Sequence, residues 1–152
     1  MGLDADFTIH RTWIFPMTGE EAKTPVRDGW PVQEERLHVL SLRKNNRIHA
    51  WVCKNVDMGA HECKEVLLGV EQLKALEDVL IAFSTDANAL PECPDEVWGS
   101  FFGDRDVGPE DQVWAVQYAK RIRAMREYIE EHKGSGYEMD KPWVGGFYQA
   151  SW

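Results

Sequence analysis

The residue types best suited to chemistry lie between positions 42 and 63. Leu42, Asn46, His49 and Cys53 recur at alternating intervals of four and three residues, so a helix through them would place all four on one face. Such a face normally carries apolar side chains, whereas this one carries an amide, an imidazole and a thiol. The spacing therefore predicts a buried polar network or a wall that faces a ligand.

The same stretch contains residues of the types that bind metal ions. His49 and Cys53 are one helical turn apart, and His61 and Cys63 would share a face of an extended strand. Two imidazoles and two thiolates are a ligand set for tetrahedral zinc. Their spacing matches none of the common zinc modules, so a packed, hydrogen-bonded His49 is the favoured interpretation. We expect neither a metal nor another cofactor.

A second group combines cations and an amide with aromatic rings. A pocket for an anionic or nucleotide-like ligand needs these residue types, because cations pair with the charge and rings interact with cations and planar groups. The alternative is that the adjacent cations at the start of the helix are only solvated. The predicted ligand- or partner-binding site consists of Arg43, Lys44, Asn46, His49, Trp98, Phe101 and Phe102.

Two further candidates have simpler alternatives. Asp4, Asp6 and His10 would share one face of an extended strand, where paired carboxylates bind divalent ions or transfer protons. The solvated outer face of an edge strand shows the same alternation and is the favoured interpretation. Cys63 and His49 form a candidate nucleophile–base pair, but isolated thiols are more often small core residues. The chain has no Walker loop, dinucleotide-binding glycine motif or nucleophile elbow, so we assign no catalytic residue.

The composition bounds the class of protein. The chain has 152 residues, 43% of them hydrophobic, which is enough for one domain with its own core. Its formal net charge of −9 disfavours direct binding to nucleic acids. Two interpretations of the charge remain, an ordinary acidic domain or an acidic surface that fits a partner's basic groove. Three cysteines without a Cys-x-x-Cys pair indicate free thiols. Since no apolar run is long enough to span a membrane, we expect a cytoplasmic protein.

The hydrophobic pattern predicts strands at both ends and helices between them. Residues 3–15 and 144–152 alternate as half-buried strands. A loop-rich excursion is expected at about 17–36, followed by a helix from an N-cap at Ser41 to Val56 and a strand from Glu62 to Leu68. Two more helices are predicted, one over 70–83 and one from 109 to a stop at Gly134, the latter with a stripe of Trp114, Tyr118, Ile122, Met125 and Ile129. We predict a single α+β domain over residues 1–152, with about three helices packed on a small antiparallel sheet that includes both termini.

The sequence also resembles a family of small uncharacterised bacteriophage and prophage proteins. These begin with Met-Gly-Leu-Asp, carry a Trp-Arg-Lys-x-Asn-x-Ile-His-x-Trp-Phe helix and end with Tyr-Gln-Ser-Ser-Trp. The chain departs from that pattern at Leu42, where the family has Trp, and at Cys53, where it has an apolar residue, which argues against a metal pair of His49 with Cys53. Residues 104–108 also lack the family's acidic-aromatic run. The matching residues are Met1, Gly2, Leu3, Asp4, Arg43, Lys44, Asn46, Ile48, His49, Trp51, Asn55, Val56, Gly59, Cys63, Glu65, Leu90, Pro91, Phe101, Phe102, Gly103, Gln149, Ser151 and Trp152.

The resemblance implies a phage origin and no particular reaction. Small phage accessory proteins often bind host machinery, so we expect a protein that binds and neutralises a host component in the bacterial cytoplasm. The target would be a defence protein such as a CRISPR effector, or a small anionic signalling ligand. The alternatives are a small hydrolase or transferase that uses His49, and a structural or assembly protein of the phage particle.

Overall fold

A four-stranded antiparallel sheet is the frame of the fold. The computed structural model describes residues 3–14, 23–43, 45–90 and 109–151, with only the backbone at 109 and 110. The strands are β1 (Asp4–Thr12), β2 (Val26–Arg27), β3 (Trp30–Pro31), β4 (Glu34–Arg43), β5 (Val66–Leu68) and β6 (Trp143–Ser151), of which β2 and β3 form a separate hairpin. The first and last strands, β1 and β6, are paired at the centre of the four-stranded sheet, whose order is β4-β1-β6-β5.

Three α-helices in the described residues accompany the sheet, so the predicted α+β class and the presence of both end strands in one antiparallel sheet are confirmed. They are α1 (Asn46–Asn55), α2 (Val70–Phe83) and α3 (Pro109–Glu131), and a 3₁₀ helix spans Met58–Glu62. The core lies between these helices and one side of the sheet, called here the inner face. No helix in the described ranges is long and apolar enough to cross a membrane.

Burial along the two central strands follows the predicted alternation. In β1, Phe7 and Ile9 are buried on the inner face, whereas Asp6 on the opposite, outer face is exposed. In β6, Tyr148 is fully buried and Gln149 is exposed. Because side chains alternate between the two faces of a strand, this pattern places the apolar set of both strands in one core.

Strand β4 corrects the predicted start of the first helix. The sequence places an N-cap at Ser41, but β4 continues to Arg43, and α1 begins at Asn46 with Asn45 as its cap. The side chain of Asn45 accepts a hydrogen bond from the Ile48 amide at 3.1 Å, which satisfies a backbone donor of the first turn. Leu42 therefore lies buried on the inner face of β4, opposite Ala5, and not on a helical stripe.

The region predicted as loop-rich contains regular structure where it is described. Residues 15–22 lie outside the described residues, while Arg27 and Trp30 pair across the β2–β3 hairpin. Its turn uses Asp28 and Gly29, both with positive φ, which is the geometry of a tight hairpin. Residues 34–36 already belong to β4. The strand predicted from Glu62 is shorter, because the 3₁₀ helix occupies residues 58–62 and β5 starts at Val66.

Helix α3 buries a different stripe from the one predicted at its start. Ile122, Met125 and Ile129 are buried as expected, but Trp114 is 55% exposed. The buried positions of the first turns are the small residues Ala115 and Ala119, which allow α2 to approach closely. Between the two helices, Glu77 is 3% exposed and accepts a hydrogen bond from Arg126 at 3.0 Å.

Candidate functional site

His49 is the centre of a buried polar network. It lies on the inner side of α1 with no exposed surface, and its Nδ1 shares a hydrogen bond of 2.6 Å with the hydroxyl of Tyr148 on β6. Its Nε2 lies 3.7 Å from the sulfur of Cys53, one turn further along the helix. The Tyr148 ring packs edge-on against Phe7, with ring centroids 5.0 Å apart. The network therefore joins α1 to the centre of the sheet.

Both members of the main hydrogen bond are uncharged at neutral pH. Burial, and to a lesser degree the nearby charge of His61, lowers the pKa of His49 from its ordinary 6.5 to about 4. Burial also raises the pKa of the Tyr148 hydroxyl well above its ordinary value. A general base works best with a pKa near the operating pH and within reach of a substrate. His49 has the environment of a structural histidine.

The four candidate zinc ligands do not form a ligand set in the described structure. His49 contacts Cys53, and its ring centroid lies 6.0 Å from that of His61. Cys63 lies in the left-handed turn after the 3₁₀ helix, and its backbone carbonyl accepts a hydrogen bond from the side-chain amide of Gln149 at 3.1 Å. Within the described ranges, no group of three or more histidine, cysteine, aspartate or glutamate side chains could hold a metal ion.

The three predicted ligand-binding residues that the structure describes are divided between the solvent and the core. The Arg43 side chain is 81% exposed at the end of β4, where its Nε lies 3.8 Å from the Asp4 carboxylate. Asn46 and His49 are buried, so they do not share a solvent-facing wall with Arg43. The other four predicted members, Lys44, Trp98, Phe101 and Phe102, lie outside the described residues.

The outer face of the sheet presents a row of three rings that the sequence analysis did not identify. His10 stacks on Phe147 with centroids 4.0 Å apart, and Trp143 meets Phe147 edge-on at 6.1 Å. Gly145 makes this possible, because a Cβ at that position would overlap the Trp143 ring. Trp143 is 37% exposed. We call His10, Phe147 and Trp143 the aromatic row.

Two carboxylates border the aromatic row. Glu34 lies 3.4 Å from His10 Nδ1, and Glu65 lies 3.6 Å from His10 Nε2. Arg36 donates hydrogen bonds to both carboxylates, from Nε to Glu34 at 2.8 Å and from Nη1 to Glu65 at 3.3 Å. Burial lowers the pKa of His10 although both glutamates act in the opposite direction. Asp4, Asp6 and His10 thus share the outer face of β1 as predicted, but His10 is buried between Glu34 and Glu65 and is not solvated.

A serine, a histidine and an aspartate also meet on the outer face, in an order that does not activate a nucleophile. The Ser41 hydroxyl donates a hydrogen bond to Asp6 and lies 3.5 Å from Nε2 of His38. In a catalytic triad the histidine lies between the serine and the acid and takes the serine's proton. Here the serine occupies the middle position, so this arrangement supports a polar surface and no acyl transfer.

The β2–β3 hairpin carries the most exposed tryptophan of the described residues. Trp30 is 76% exposed, and Arg27 opposite it donates a hydrogen bond to Glu35 at the start of β4. The Asp28-Gly29 dipeptide was the sequence signal for this hairpin, since Asp-Gly is a preferred two-residue hairpin turn. The signal for the aromatic row was the pair of aromatics flanking two glycines at 143–147.

Comparison of the chain with known protein families, with curated proteins and with solved structures finds no match. The resemblance to phage proteins therefore stays a prediction.

Proposed function

We propose that this chain is a phage accessory protein that binds a host component stoichiometrically, without turnover, and that the outer face of the sheet is its binding surface. The observation that carries the proposal is the aromatic row with its bordering carboxylates. Tryptophan is among the residues that most often anchor protein–protein interfaces, and Trp143 is the exposed member of the row.

The residue types of this surface favour a partner protein with exposed arginines. An arginine side chain can stack on an exposed ring and pair with a neighbouring carboxylate at the same time. Trp143 and Glu34 supply that combination at one end of the sheet, because Thr12 pairs with Trp143 on one side and with Glu34 on the other. Leu67, opposite Phe147 and 53% exposed, adds apolar area. The net charge of −9 would attract a basic partner over longer distances.

The chemistry of the core supports binding over catalysis. His49, the residue on which the enzyme alternative depends, is fully buried with a pKa of about 4. The serine–histidine–aspartate group on the outer face has the serine in the middle. A defence protein with a basic surface therefore agrees better with the described residues than a small anionic ligand or a hydrolase substrate does.

Site-specific photo-crosslinking tests the proposed surface. A photoreactive phenylalanine analogue at position 67 would probe the outer face, and the same analogue at Ile81 on α2, which is 50% exposed, is the matched control. In bacterial cells we expect position 67 and not position 81 to label a specific host protein. Equal labelling from both positions would show that the outer face is not the binding surface.

The purified partner then decides between binding and turnover. We expect a complex that saturates near one equivalent and that Trp143→Ala weakens by tenfold or more, as for an interface anchor. Trp114→Ala, which removes an exposed tryptophan on α3, should leave the affinity unchanged. Inactivation of the partner far below one equivalent, growing with time, would instead identify an enzyme. A fixed copy number in purified phage particles would identify a structural protein.

A further inference from the structure

A cavity of about 360 Å³ lies at one end of the sheet, away from the His49 network. Its walls are the end of β5 and the start of α2 (residues 67–70), the end of α3 and the following turn (129 and 133–134), and the first residues of β6 (143–146). This volume is within the range of small-molecule binding sites.

The cavity follows from how β5 ends. β5 pairs with β6 only from Gly146 to Tyr148, and α2 begins directly after it, so β5 does not extend beside residues 143–145. Four of the eleven residues that line the space are glycines. A Cβ at Gly69 would meet only Gln72 Oε1, whereas at the other three glycines it would overlap atoms that already pack there. Gly146 also sets the floor, since a Cβ there would lie 2.7 Å from Met125 Cε and 3.0 Å from Ile129 Cδ1. The hollow is therefore built into the packing of α3 on β6.

The lining has one charge and is otherwise mainly apolar. Val70, Ile129 and the Trp143 ring form apolar walls, and Lys133 is the single ionisable lining residue. Lys133 makes no ion pair with any residue in the described part of the chain. An occupant that satisfies this lining has an apolar body of a few carbon atoms and one negative charge.

We propose that this cavity binds a small apolar carboxylate, a medium-chain acyl or aryl acid, with its body between Val70 and Trp143 and its carboxylate beside Lys133. The cavity shares Leu67 and Trp143 with the proposed partner surface but requires no host target. A protein without any host target would still bind such an acid.

Three ligands of equal chain length test the proposal: octanoate, octanol and octyltrimethylammonium. Each is titrated into ¹⁵N-labelled full-length protein, and the amide signals of Gly145 and Gly146 report binding at the cavity. We expect octanoate to give saturable shifts at these two amides and to bind about two- to fivefold more tightly than octanol, as one solvent-exposed charge pair would allow. The ammonium compound should bind most weakly.

Two substitutions with matched controls separate charge from shape. Lys133→Gln should reduce octanoate affinity to that of octanol, whereas Lys120→Gln, an exposed lysine of α3, should change neither. Val70→Trp should fill the space and abolish the shifts, whereas Ile81→Trp should not. Since Lys133 is exposed, its variant tests the proposal even if Val70→Trp does not fold. Absence of saturable shifts at Gly145 and Gly146, or equal binding of the anion and the cation, would overturn the proposal.

Discussion

The buried imidazole of His49 should make the stability of the fold depend on pH in a way that can be measured. In the folded chain burial lowers its pKa to about 4, while in the unfolded chain it titrates near its ordinary value of 6.5. As the pH falls from 6.5 to 4, the unfolded state therefore takes up a proton that the folded state does not bind. The free energy of unfolding must decrease across this window, and the contribution is constant above it.

The size of the effect follows from the difference between the two pKa values. One pKa unit corresponds to about 1.4 kcal/mol, so the lowering seen for His49 amounts to about 3 kcal/mol. That is a large part of the total stability of a domain, which is about 5–15 kcal/mol. The loss should be gradual and complete near pH 4.

Urea unfolding of the wild type and of His49→Asn at several pH values isolates this contribution. The asparagine amide does not titrate and keeps a polar group near the Tyr148 hydroxyl. We expect the wild type to lose about 3 kcal/mol relative to the variant between pH 7 and pH 4. His10→Asn is a useful comparison, because the pKa of His10 is lowered as well but its surroundings include two carboxylates that oppose the change. Its effect should have the same sign and be smaller.

Stability curves of the wild type and the variant that run parallel from pH 7 to pH 4 would contradict this prediction, since His49 would then titrate alike in the folded and unfolded states. A wild type that gains stability relative to His49→Asn as the pH falls would show that the folded ring binds the proton. Either result would remove the basis for calling His49 structural and would favour the enzyme alternative.

Three further changes test the packing of the fold. Tyr148→Phe should lower the free energy of unfolding, measured in urea, by about 1–3 kcal/mol, because it removes the hydroxyl that hydrogen-bonds the buried His49 ring. Tyr137→Phe changes an exposed tyrosine and should have little effect. Glu77→Gln should lower the free energy of unfolding by about 1–3 kcal/mol in the same assay, because it removes the buried one of the two carboxylates that pair with Arg126, and an equal result for the exposed Glu127→Gln would contradict this. Deletion of the chain from Phe147 onwards should abolish cooperative thermal unfolding, and a truncated protein with a transition near that of the parent would refute the central role of β6.

Much of the fold follows from local patterns of side chains. Alternation correctly predicts that β1 and β6 are half-buried strands, and Phe7 and Tyr148 lie on their buried faces, because one face of each strand meets water and the other meets the helices. The burial of His49 also follows from its place between apolar neighbours. What the pattern could not give is the hydroxyl partner of His49, since Tyr148 lies 99 positions away in the sequence. A long-range hydrogen bond leaves no local signal.

The errors occur where tertiary contacts override the local pattern. The sequence pattern predicts a loop up to about residue 36 and a helix from Ser41, but pairing of residues 34–43 with β1 satisfies their backbone groups and buries Leu42. Ser41, the expected helix N-cap, instead donates a hydrogen bond from its hydroxyl to Asp6 on the neighbouring strand. The aromatic row has no local signal for a related reason. It depends on the missing Cβ of Gly145, whose position is occupied by the Trp143 ring.

The position of β1 in the sheet constrains when the protein can fold during its synthesis. Of the described strands, β1 (Asp4–Thr12) is synthesised first, yet one of its two neighbours in the sheet, β6, spans Trp143–Ser151 and is synthesised last. Until β6 has been synthesised, β1 has an open edge and the apolar inner face has no complete core, so both can associate with other chains. Such widely separated contacts also slow folding, because the chain must close a long loop before the central pair forms. Completion of this sheet should therefore wait for the synthesis of β6.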